Sequence, residues 1–170
     1  MSLVLAFLLS FAPPPDFPDP IAPAARGELQ CHRPDRARHI CQSLAGYRID
    51  AKGGFLNDAE VLISAQNAIT MRTVTPVEIR DGAICGAITR VSLEKAVFLA
   101  AGQPLAPDKA ESLRASLLQN MATLFDHEIC TRYSASGDHL VAQVTLDGVA
   151  IQDTMDLIWV RPDEGYRVAG

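Results

Sequence analysis

The chain has 170 residues, is 48% hydrophobic and 21% charged, and carries a formal net charge of −5. Those proportions suit one compact domain and argue against wholesale disorder. Twenty acidic residues against fifteen basic ones leave no broad cationic surface, and no stretch interleaves Lys or Arg with aromatics, so nucleic-acid binding drops out as a function class.

Residues 2–12, SLVLAFLLSFA, form an uninterrupted apolar run that ends at three prolines. Its length matches the apolar segment of a secretory signal, although no Lys or Arg precedes it. As a helix it would reach only about 16 Å at roughly 1.5 Å per residue, against a hydrocarbon core of about 30 Å, so no stable transmembrane span is predicted. Residues 13–26 hold six prolines and read as an extended linker. A signal-like segment at 1–12, a linker at 13–26 and a single domain at 27–170 follow, in a periplasmic or secreted protein.

Four cysteines allow three pairings. Cys31 and Cys41 flank a polar insert whose Pro34-Asp35 pair suits the centre of a type I turn, which sets the two cysteines opposite each other as a local staple. Cys85 is then left to close a long loop with Cys130. Zinc is the competing use of Cys31, His32, His39 and Cys41, but Cys31 and His32 are adjacent, whereas ligand pairs of structural zinc sites are usually two to four residues apart. No metal and no cofactor is expected.

Residues 40–51 read as extended, with a short helix over 35–45 as the rival. Two runs, 59–65 and 68–74, suggest a hairpin around Gln66-Asn67, although residues 58–71 also match a helical period. Residues 77–80 and 83–90 flank Asp81-Gly82, the dipeptide that a two-residue hairpin turn favours. Residues 95–100 read as another strand. A long helix is predicted over about 107–126, with Pro107 at its start, Asp108 and Glu111 near its amino end, and Ala110, Leu113, Leu117, Met121, Leu124 and Phe125 as an apolar stripe. Strands follow at 128–134, at 139–146 with Leu140, Ala142, Val144 and Leu146 facing inward, at 149–153 beyond the Asp147-Gly148 turn, at 155–161 and at 166–168. Many short strands around one helix, without strand–helix alternation, predict an α+β domain: a mainly antiparallel sheet of hairpins packed on that helix.

No phosphate-cradling glycine loop, nucleophile elbow or H-E-x-x-H motif occurs. The nearest thing to a reactive cluster is the segment from Asp126 to Arg132. His127 at a helix carboxyl end would be favoured as a cation, and Glu128, Cys130 and Arg132 would share one face of a strand. His127, Glu128 and Arg132 are thus the catalytic candidates if the protein is a hydrolase with dispersed residues. The favoured reading is a non-catalytic exported module, stapled by disulfides at Cys31, Cys41, Cys85 and Cys130, that binds a peptide, an envelope component or a small ligand through its sheet or a sheet edge.

Overall fold

The computed structural model describes residues 19–169. The apolar run and most of the prolines of the expected linker lie outside the described residues. At the linker's end, Ala22–Arg26 form a 3₁₀ turn, preceded by Ile21, which is buried.

The chain then enters β1 (Leu29–His32), a two-residue β2 (Ile40–Cys41) and β3 (Ser43–Ile49). Neither helical alternative forms. Residues 35–45 instead carry a turn between Asp35 and Ile40, and residues 58–71 form the hairpin of β4 (Phe55–Ser64) and β5 (Ile69–Arg80). β6 (Ala83–Ala87) follows the Asp81-Gly82 turn, where both residues have positive φ, 52° and 73°, as a two-residue hairpin requires. An insertion comes next: α1 (Arg90–Glu94), β7 (Val97–Ala100), β8 (Gln103–Pro104) and α2 (Pro107–Asn120). The chain ends with the meander β9 (Glu128–Ser136), β10 (His139–Leu146) and β11 (Val149–Val160), then β12 (Arg167–Val168).

Eight of these strands run in chain order around a closed antiparallel barrel, β1–β3–β4–β5–β6–β9–β10–β11. The seam is made by the first strand on the last, with Leu29 opposite Val160 and His32 opposite Leu157. The expected α+β sheet packed on a long helix is therefore corrected to an up-and-down barrel. Physically, the inward faces of the strands cover one another, and the sheet has no need of a helix to bury its apolar side. α2 stops at Asn120 rather than 126, and none of its residues is fully buried. Closure pairs the first barrel strand with the last, so each of the eight barrel strands has a neighbour on both sides over at least part of its length.

Two clusters lie against this wall. Leu29, Leu44, Ile158 and Val160 surround the Cys31–Cys41 disulfide, with Tyr166 packed against them. There β2 pairs in parallel with β12. The second cluster joins α1, α2 and β7: Leu93, Ala96 and Phe98 are buried under Leu113, Leu117, Met121 and Phe125. Arg114 ties the layers by donating to the Ala96 carbonyl at 3.0 Å while its guanidinium lies over Phe98. The second disulfide, Cys85–Cys130, links directly opposed residues of β6 and β9 and brackets the whole insertion. Both disulfides are compatible with an oxidising compartment. No helix among the described residues is long and apolar enough to cross a membrane.

Candidate ligand-binding cavity

An eight-stranded barrel is just wide enough for side chains to fill it or for one small ligand to occupy it. Which of the two holds depends on the size of the inward residues. Here strand alternation turns Ser43, Ala45 and Tyr47 of β3 inward, with Asn57, Ala59, Val61 and Ile63 of β4 and Met71, Thr73, Thr75 and Val77 of β5. A row of small residues crosses these strands, Ala45 opposite Ala59 and Ala59 opposite Thr73. On the adjoining strand β6, Gly86 opposite Val77 adds no side chain; a Cβ there would come to about 3.0 Å from the Pro76 carbonyl oxygen and from Val77. The lumen consequently stays open as a cavity of about 460 Å³, within the usual range for small-molecule sites.

β6 leaves the wall at Ala87, and the chain beyond it completes the lining with Ile88, Ser92 and Leu93. The Thr89 hydroxyl caps α1 by accepting from the Ser92 amide at 3.0 Å, which fixes Leu93 against the lumen. Leu117 and Met121 reach the same cavity from α2 and its carboxyl end.

A neutral polar cluster interrupts the apolar lining. Gln30 is fully buried, and its Oε1 accepts from the Tyr47 hydroxyl at 2.8 Å and from the Tyr133 hydroxyl at 3.3 Å. Burial drives both phenols upward, Tyr133 to about 12, so both remain protonated donors at neutral pH. Burial also pushes the His32 imidazole down to about 4, leaving it uncharged. Two atoms of this cluster have no hydrogen-bond partner, Gln30 Nε2 and His32 Nδ1.

The catalytic candidates from the sequence lie elsewhere. His127 follows α2 and its turns, is exposed, and pairs through Nδ1 with Asp147 Oδ2 at 2.5 Å. Asp147 also accepts from the Glu128 amide, and the His127 contact, then that amide, hold its carboxyl below the ordinary range. Glu128 forms an ion pair with Arg80 at 2.6 Å. Arg132 lies two strand positions beyond Cys130 on the outer face, exposed. The three do not converge on the lumen, since the inward residues of β9 are Ile129, Thr131 and Tyr133. Sequence reasoning passed over Gln30, Tyr47, Asn57 and Tyr133 and weighed His32 only as a zinc ligand. The legible trace of the site was the run of small and polar residues at alternate positions of β3, β4 and β5, where a filled core would carry large aliphatics.

Among the described residues, no group of three or more His, Cys, Asp or Glu could hold a metal ion. Comparisons with protein-family models, with curated proteins and with solved structures find no match to this chain.

Proposed function

We propose that this protein is an exported binding module that holds one small, largely apolar molecule in the lumen of its barrel. The observation that carries the reading is the cavity of about 460 Å³ within the barrel, lined largely by apolar side chains with polar groups such as His32, Tyr47, Asn57 and Tyr133 set among them. That combination is what a small-molecule site requires: apolar area supplies affinity, and a few placed polar atoms supply orientation. His127 and Glu128 lie outside the lumen, exposed and paired with Asp147 and Arg80, so they add no reactive group to it. Export is supported by the two disulfides and by the apolar run at residues 2–12, and a periplasmic or secreted location accounts for both.

Filling the lumen tests the reading. Ala59→Trp places an indole into open space from the middle of β4, so the circular dichroism spectrum should be kept while binding of a neutral hydrocarbon fluorophore such as diphenylhexatriene weakens by about tenfold or more. Unchanged fluorophore binding by a folded Ala59→Trp protein would place the ligand outside the barrel.

A further inference from the structure

We propose that the ligand of this cavity is an uncharged molecule with an apolar body and one hydrogen-bonding oxygen, a hydroxyl or a carbonyl, seated against His32. The proposal rests on the lumen reading above and specifies its chemistry.

One argument comes from charge. None of the side chains lining the cavity is Asp, Glu, Lys or Arg. Charged residues on the same strands occupy the alternate, outward positions, where Glu60 and Arg72 pair with each other at 2.7 Å. A carboxylate or ammonium entering the lumen would give up its hydration without meeting a counter-charge, and such a group is strongly disfavoured against a neutral one of the same size.

The other argument comes from unsatisfied valence. Buried polar atoms in folded proteins almost always have partners. Here the two tyrosine hydroxyls are spent on Gln30 Oε1, while the Gln30 amide nitrogen and the His32 ring nitrogen have none. The two residues are two positions apart on β1 and so share the inward face, and of the two it is His32 that lines the cavity. The complement of its unpartnered neutral Nδ1 is an oxygen: a carbonyl accepts from the Nδ1–H tautomer, and a hydroxyl can pair with either tautomer. Elsewhere in the lining Val61, Ile63, Ile84 and Ile129 offer hydrocarbon, which suits the apolar body of the ligand.

The experiment uses the oxidised, purified protein loaded with diphenylhexatriene and competes the fluorophore with decanol and with decanoate at about pH 8. Decanol should displace it at roughly one tenth or less of the concentration that decanoate needs. His32→Leu removes no hydrogen bond seen in the fold, so the protein should stay folded, and its decanol affinity, measured relative to its own diphenylhexatriene affinity, should fall about tenfold against wild type. Equal displacement by decanoate, or undiminished decanol affinity in His32→Leu, overturns the proposal and leaves the lumen reading standing because the fluorophore still binds. Failure of the fluorophore itself to bind overturns both.

Discussion

His32 shows how burial inside this barrel turns a common residue into a pH-dependent liability. Its folded-state pKa of about 4 lies below the ordinary 6.5, so the unfolded chain takes up a proton first as the medium is acidified. Stability is therefore full above about pH 6.5 and falls as pH drops toward 4, by a total on the order of 3 kcal/mol. Denaturant titrations of wild type and His32→Leu across that window should show a slope in the first and a much flatter profile in the second. An equal slope in both would mean that another group carries the acid sensitivity. Asp147 has the same sign in a lower window: its depressed carboxyl contributes above its ordinary range, and the contribution is lost as the medium becomes more acidic. Its environment is solvent, which screens the effect. Neither environment had a local trace: Asp147 reaches His127 only once β9 and β10 are paired, and His32 is buried only once the barrel forms.

At the scale of elements, the disulfides divide the labour. Cys31–Cys41 closes a separation of 10 residues and pins β2 to the outer wall, whereas Cys85–Cys130 closes 45 residues that include α1, β7, β8 and α2. On chain-entropy grounds the longer loop should contribute about 4 kcal/mol and the shorter about 3. Double alanine variants of each pair, compared by urea midpoint, should rank in that order. Removal of Cys85–Cys130 should also expose the insertion to limited proteolysis before the barrel wall is cut. A reversed ranking would show that native packing around Cys31 and Cys41, which are both fully buried, outweighs loop length. Hairpins and the start of α2 were readable because each depends on residues a few positions apart: Asp81-Gly82, Asp147-Gly148 and Pro107 with Asp108 act within one turn. The apolar stripe of the helix was also readable, except for its partners. Leu117 and Met121 were expected to meet a sheet face, and they meet the lumen together with Leu93.

For the whole molecule, closure is the decisive event, and it joins the chain's distant parts. Leu29 meets Val160 and Gln30 meets Trp159, so the seam forms only after long-range pairing. Topologies dominated by such contacts fold slowly, in about milliseconds to seconds. Trp159 is the single tryptophan and sits at the seam near Tyr47, which makes its fluorescence a reporter of closure. Stopped-flow refolding with the disulfides intact should bring Trp159 to its native signal in that range. Leu157→Ala, which empties a fully buried seam position, should lower stability by about 2–5 kcal/mol. Closure complete within microseconds would contradict this picture of the seam.

By itself the sequence determined the hairpin turns, the amino end of the helix and the strand alternation, and it favoured the Cys31–Cys41 staple, since these follow from dihedral preference, period and short spacing. The tertiary structure alone decided that the sheet closes, that the helix covers a cavity rather than a sheet, and that Gln30, Tyr47 and Tyr133 meet. Those outcomes depend on how many strands fit around the barrel and in what register the first meets the last. No local propensity encodes that number, because it is set by the summed twist and side-chain volume of all eight strands.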